Sequence, residues 1–289
     1  MNKIDLHLHS SYSDGKMAVI DLAERIKQAD LNYCALTDHD TVDGILELNK
    51  YLKNTKTINI PAVELTVLYY EKEIHVLAYG FEVEKMSRFL SKRAQIVNRQ
   101  KVHELKESIK LFKRNGFVVS DAIKVKPKQP VGLTIALDVY NNPDNVDKVA
   151  GLTPEEFYNV YQGLGSSCYV ERSEITLDWA LKEIRSFCQN LILAHPFNLV
   201  SFFVKPLSLD DIKKLISLGL DGIEVYHPDI DNQQVNILKK FALDNNLMWT
   251  GGSDFHDPEK QLFPLGYYAI DQRIDSFKLY GYTQENTKI

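Results

Sequence analysis

The chain has 289 residues, 44% of them hydrophobic and 25% charged, with 14 glycines and 10 prolines, a make-up that excludes disordered and fibrous proteins. No apolar run approaches the ~20 residues of a membrane helix, so no membrane partner is expected, and a net charge of −5 argues against general affinity for nucleic acid. Cys34, Cys168 and Cys188 have neither metal-type spacing nor an even count for disulfides, and a chain that enters its first strand within four residues leaves no room for a signal peptide, so a cytoplasmic protein is expected.

Ile4 to Leu8 reads as a strand, and Val19, Leu22, Ala23 and Ile26 follow at helical spacing. Tyr33 to Leu36 is a short buried strand and Gly44 to Leu52 is helical. Ile58 to Leu68 and Ile74 to Phe81 are β-rich runs joined by Glu71-Lys72-Glu73, a hairpin pattern. A helical stripe of about thirty residues then runs through Met86, Phe89, Leu90, Val102, Leu105, Ile109 and Phe112 to Gly116. Lys124 to Pro130 is Lys/Pro-rich and reads as a loop. Short helices are expected over 133–141 and 154–162, the second opened by Thr153 as cap with Pro154 in its first turn. Nothing between 85 and 170 has the βα pattern, so this stretch reads as an inserted helical domain between barrel segments 1–84 and 171–289. Alternation resumes with a helix over 177–188, strand Leu191 to Ala194, a helix over 209–218, strand Gly222 to Tyr226, a helix over 232–245 and strand Leu247 to Thr250.

Charge is divided unevenly along the chain. Residues 85–130 hold thirteen Lys or Arg against Glu104, Glu107 and Asp121, a net of +10 that leaves −15 elsewhere. A basic element beside an acidic body suits an anionic substrate. Most of the basic residues fit a solvated helix face; Lys126, Lys128 and Arg172, in loops at the insert's returns, are the better substrate-binding candidates.

The chemistry lies at strand ends. His7 and His9 are two apart, on one face of a strand. His39 follows Asp38 after the second strand, Glu64 closes an apolar run, and His75 sits inside Glu73-Ile74-His75-Val76-Leu77. His195 ends Leu191 to Ala194 before Pro196, and Asp254 and His256 follow Gly251-Gly252. One pair of strand histidines is more often structural than ligating, but six of the eight histidines fall at strand ends or faces. Imidazole and carboxylate without thiolate suit Mn, Fe(II) or Zn. Ligands at the ends of strands from both ends of the chain imply a closed parallel barrel with a metal cluster in its mouth. There, a water between two cations becomes a nucleophile near neutral pH. Asp5 and Asp38 read as carboxylates orienting the ligand imidazoles, and Asp40 as a helix cap. His227, just past Gly222 to Tyr226, sits where a barrel places a catalytic group, to protonate a leaving oxygen or bind phosphate.

Asp5-Leu6-His7-Leu8-His9-Ser10, Thr37-Asp38-His39-Asp40, Glu64, His75, Ala194-His195-Pro196 and Ser253-Asp254-Phe255-His256 together make the chain resemble the PHP superfamily of metal-dependent phosphoesterases. The resemblance covers residues 3–82 and about 177–258. It implies an α/β fold, a distorted (β/α)7 barrel with the inserted helical domain, holding two or three divalent metal ions (Mn, Fe or Zn). It implies a first site of His7, His9, Glu64 and Asp254, a second of Glu64, His75 and His195, and a third of Asp14, His39 and His256. Asp14, in Ser13-Asp14-Gly15, reads as turn chemistry without it. The layout is similar to the branch of nucleoside 3′,5′-bisphosphate phosphatases and 5′→3′ exoribonucleases. The implied substrate is thus a phosphorylated nucleotide, with short RNA ends or a histidinol-phosphate-like small molecule as alternatives. Two departures, Gly132-Leu133-Thr134 in place of an Arg-x-His stretch and Pro228-Asp229-Ile230-Asp231 in place of a histidine after the Ile-Glu-Val strand, imply an altered substrate clamp.

Overall fold

The computed structural model describes residues 3–70, 72–120, 123, 130–171, 175–197, 207–260 and 263–267. Strands β1 (Ile4–Leu8), β2 (Tyr33–Leu36) and β3 (Ile58–Asn59) pair in parallel as one sheet. Strands β4 (Ala62–Tyr69), β5 (Lys72–Phe81), β6 (Cys188–Leu193), β7 (Gly222–Tyr226) and β8 (Met248–Gly251) form a second. Parallel bridges join the two sheets on both sides. Leu8 pairs with Phe255 beyond β8, and His39 beyond β2 pairs with Glu64 of β4. The His9 N–H donates to the Phe255 carbonyl at 2.9 Å and the Glu64 N–H to the Thr37 carbonyl at 3.1 Å. The sheets thus close into a distorted α/β barrel, which removes open edges.

The strand-end reading expects a wholly parallel closure, and the sheet departs from it at one strand. β5 runs antiparallel to both β4 and β6. Only two residues separate it from β4, and a parallel crossover needs about a dozen. The reversal places His75, near the start of β5, beside the carboxyl end of β6. The Ala194 N–H donates to its carbonyl at 3.0 Å.

Helices form where the apolar spacing expects them. α1 (Val19–Gln28) buries Val19, Leu22, Ala23 and Ile26. With α2 (Asp43–Leu52) it shares a core that includes Leu8, Cys34, Leu36, Leu48 and Phe255. A second core lies among the strands, with Ile4, Leu6, Ile60, Leu77 and Ile192 packed around Tyr79. The buried Tyr79 hydroxyl donates to the Leu6 carbonyl at 2.7 Å, which satisfies it.

The chain divides into two compact units, one made of the residues up to Ser91 and from Thr176 on, the other Lys92–Ile175. These bounds differ from the expected insert of 85–170. α3 (Val83–Arg114) is one helix whose first turns bury Met86, Phe89 and Leu90, with Phe89 stacked on Trp179 at 5.4 Å. Periodicity marks a buried face but not the core it enters. In the second unit, α4 (Val131–Asn141), α5 (Val146–Val149) and α6 (Pro154–Tyr161) share a core with Phe112, Phe117, Ile135, Val139 and Phe157. α6 starts at a full capping box of Thr153 and Glu156. α7 (Leu177–Ile184), α8 (Leu209–Ser217) and α9 (Asn232–Asp244) precede β6, β7 and β8 in turn. No helix among the described residues is long and apolar enough to cross a membrane.

Candidate metal centre

β1 delivers His7 and His9, both fully buried, to the same carboxylates. His7 Nε2 lies 3.1 Å from Glu64 Oε2 and 3.2 Å from Asp254 Oδ1, and His9 Nε2 lies 3.1 Å from each. These four residues make one group able to hold a cation. His9, Asp14, His39 and His256 make another, with His256 Nε2 3.2 Å from Asp14 Oδ1. His39, Glu64 and His75 make a third. The resemblance assigns His195 rather than His39 to the set with Glu64 and His75. The structure keeps His195 beside them, with its Nε2 3.0 Å and His75 Nδ1 2.8 Å from the same Glu64 Oε1. Glu64 thus turns one oxygen to His7, His9 and His39 and the other to His75 and His195.

Burial is graded across the groups. His7, His9 and Glu64 are sealed, whereas the side chains of Asp14, His39 and His256 are 33%, 24% and 31% exposed. The second group is therefore the face open to solvent.

Backbone geometry holds the ligands. A Cβ on Gly252 would lie 2.4 Å from His7 Cβ and 2.5 Å from its backbone nitrogen, and one on Gly15 would lie 2.7 Å from the His9 carbonyl carbon. These glycines let chain pass against chain. His195 and Asp254 adopt φ +25° and +46°, a left-handed backbone costing about 1–3 kcal/mol each that tends to collect at functional sites.

The supporting carboxylates differ from expectation. Asp5 accepts the backbone N–H groups of Ser253 and Gly266 at 2.9 Å each and that of His7 at 3.4 Å, and clamps the Ser253–Asp254 turn to β1. Burial raises its carboxyl to about 6 against those bonds. Asp38 accepts from the Ser10 N–H, the Ser10 hydroxyl and the Ser13 hydroxyl at 2.6–2.7 Å, shaping the turn that carries Asp14. Asp40 caps no helix, since Val42 is the residue at the α2 start, and accepts the Thr66 N–H at 3.1 Å instead.

The residue the sequence reading missed is Glu224, wholly buried in β7. It lies 2.9 Å from His7 Nδ1 and accepts the His195 N–H at 2.8 Å. A carboxylate inside the apolar run Gly222 to Tyr226 was the available signal.

His227 has a different place from the one expected of a catalytic or phosphate-binding group. It is 1% exposed, its Nδ1 accepts the Asp229 N–H, and its Nε2 bonds Asp254 Oδ2 at 3.1 Å. With both nitrogens engaged, it orients Asp254 and leaves Oδ1 to face His7 and His9. His256 Nδ1 likewise bonds the Asp254 carbonyl at 2.8 Å, which turns its Nε2 lone pair toward Asp14.

Lys126, Lys128 and Arg172 lie outside the described residues. Of the other basic residues between 85 and 130, Lys85 and Lys110 pair with Glu82 and Glu107 at exposed surface. Gly132 donates its N–H to Glu104, and the Thr134 hydroxyl bonds the Pro130 carbonyl. Asp231 caps α9.

The protonation pattern follows from crowding. Burial opposes charge on Glu64, yet His7 and His75 hold its carboxyl well below the usual range. Burial lowers His9 and His195, but the surrounding carboxylates carry both up to about 9. Burial dominates at His39, pulling it down to about 3. Both nitrogens of His9 and Nδ1 of His39 are buried without a hydrogen-bond partner among the described residues. Buried lone pairs of imidazole and carboxylate aimed at common points are what a divalent cation requires, and nitrogen and oxygen donors without sulfur fit Mn, Fe(II) or Zn. The residues present therefore fit the implied metals.

The model of the PHP domain family matches residues 5–238. A 5′-3′ exoribonuclease of Haemophilus influenzae is 25% identical over 94% of each chain. A phosphoribosyl 1,2-cyclic phosphate 1,2-diphosphodiesterase of Eggerthella lenta is 24% identical over 87% of this chain and 93% of its own length. Among solved structures, a Bifidobacterium adolescentis protein described as a metal-dependent phosphoesterase superposes with a TM-score of 0.60 at 20% identity, over 98% of this chain and 97% of that one, a likeness of fold.

Proposed function

This chain belongs to the PHP domain family and is a metal-dependent phosphoester hydrolase, and from that premise we propose that it hydrolyses a phosphomonoester carried by a nucleotide. The observation carrying the reading is the convergence of nine residues from six segments: His7, His9, Asp14, His39, Glu64, His75, His195, Asp254 and His256. Two or three divalent cations held there would supply a water of lowered pKa and positive charge beside the phosphate oxygens. Glu64, with its oxygens turned to different histidines, would be the carboxylate shared between neighbouring cations. Asp254, its Oδ2 engaged by His227, presents Oδ1 to the sealed group. Asp14, His39 and His256 border the open face, where a phosphate enters.

The two relatives support a ribose-borne phosphate, since both are named for reactions at such esters. Hydrolysis at short RNA ends is the second reading, favoured by the exoribonuclease that matches over 94% of both chains. Three buried, unpaired cysteines suit the reducing cytoplasm this reading places it in.

The test is a screen of protein loaded with Mn, Fe(II) or Zn against nucleoside 3′,5′-bisphosphates, nucleoside monophosphates, histidinol phosphate and short 5′-phosphorylated RNAs. The nucleotide reading expects kcat/KM on a nucleotide at least tenfold above that on simple monoesters, and Asp254→Ala to lose at least about 100-fold, more than the removal of a ligand's supporting partner costs. Equal turnover of all monoesters would refute a tuned nucleotide site. Preference for oligonucleotides with steep salt dependence would establish the RNA reading instead.

A further inference from the structure

β7 gives no ligand to any of the three groups, yet it carries the carboxylate that touches two of the residues around Glu64. Glu224 is 0% exposed in an apolar strand, and a buried carboxylate is costly unless each oxygen is satisfied. Here each oxygen has its own partner. Oε1 faces His7 Nδ1 at 2.9 Å, and Oε2 accepts the His195 N–H at 2.8 Å. His7 turns its other nitrogen to Glu64 and Asp254, and His195 is the residue held at φ +25°.

We propose that Glu224 is a positioning residue for the metal centre: it fixes the proton of His7 on Nδ1, so that Nε2 presents a lone pair to the site, and it pins the strained backbone that aims His195 at Glu64. An ionised carboxylate is the one side chain of this size that accepts from both donors at once. An amide offers one oxygen and one NH2 group. In Glu224→Gln, if the oxygen keeps the His195 N–H, the NH2 group faces His7 Nδ1. His7 then answers by moving its proton to Nε2, where an N–H points at the ligand carboxylates. If the oxygen keeps His7 instead, the His195 N–H meets an N–H and its backbone loses its anchor. Either way one of the two imidazoles is disarmed, though the substitution changes the side chain by one atom type. The inference rests on the metal-dependent reading above but not on any substrate.

The test is made on zinc-loaded full-length protein, because zinc is diamagnetic and its binding is read without turnover. Long-range 1H–15N spectra of histidine-labelled wild-type protein are expected to show His7 protonated at Nδ1. Competition with a chelator is expected to give zinc affinity 10- to 100-fold weaker in Glu224→Gln, the range for removing a partner of a metal-ligating histidine. Affinity within twofold of wild type in a folded Glu224→Gln would overturn the proposal. So would a wild-type His7 protonated at Nε2, and that spectrum decides the matter even if the variant does not fold. Normal zinc binding by wild type with no phosphoester turnover would instead sink the substrate reading and leave this one standing.

Discussion

Gly252→Ala tests most directly whether the centre depends on close packing of one chain segment on another. The added methyl would sit 2.4 Å from His7 Cβ, 2.5 Å from its nitrogen and 2.9 Å from its Cα, where ordinary contact begins at 3.4 Å. Two of the three obstacles are backbone, so no rotamer change relieves them, and β1 must part from the Gly252–Asp254 turn by about 1 Å. His7 Nε2 and Asp254 Oδ1, now 3.2 Å apart, stand on the two sides of that gap. Overpacking of this kind costs about 1–3 kcal/mol, which for a unit of this size lowers Tm by about 2–12 °C. A 1 Å misplacement of reacting groups costs about 100-fold in rate. Thermal unfolding with and without chelator, bound metal by elemental analysis, and kcat on the best substrate of the screen measure all three. Bound metal is expected to fall with Tm and kcat. A variant with wild-type Tm, metal content and rate would refute the claim that this contact sets the ligand geometry.

Metal removal is expected to make stability depend on pH. Because His9 and His195 are raised from 6.5 to about 9 in the fold, their contribution is fully present below pH 6.5 and is lost as pH rises through about 9. His39, lowered to about 3, acts oppositely and withdraws stability as pH falls below 6.5. Chelated protein should therefore lose Tm between pH 6.5 and 9, and metal-loaded protein should lose less; identical profiles would contradict the assignment of these imidazoles to cations. In the other unit, Thr153→Ala removes the hydroxyl that accepts the Glu156 N–H at 3.2 Å. It should cost about 1 kcal/mol in urea unfolding while bound metal and kcat stay at wild-type values.

The elements of this fold were legible because they are local. Val19, Leu22, Ala23 and Ile26 repeat at the helical period, and that is the face α1 buries. Thr153-Pro154-Glu155-Glu156 writes out a helix start, and the capping box is there. The long stripe to Gly116 is one helix, although two cores divide it. The candidate site was legible for a related reason. A histidine or carboxylate at the end of an apolar strand is chemically out of place, and eight of the nine site residues, all but the turn residue Asp14, carry that mark without a partner in view. Glu224 carries the same mark inside Gly222 to Tyr226.

Residue type and short-range spacing thus set the kind of element at each position and the donor atoms available for a cation. Direction and partnership were decided by the tertiary structure alone. The reversal of β5 brings His75 to Glu64, and Asp5 serves the backbone of Ser253, Gly266 and His7. Glu224 meets His7 across 217 positions of chain, and His227 spends both nitrogens inside the protein. Strand alternation has the same period whichever way the strand runs, and a buried carboxylate takes whichever donor the fold sets beside it. No local pattern could have assigned those roles.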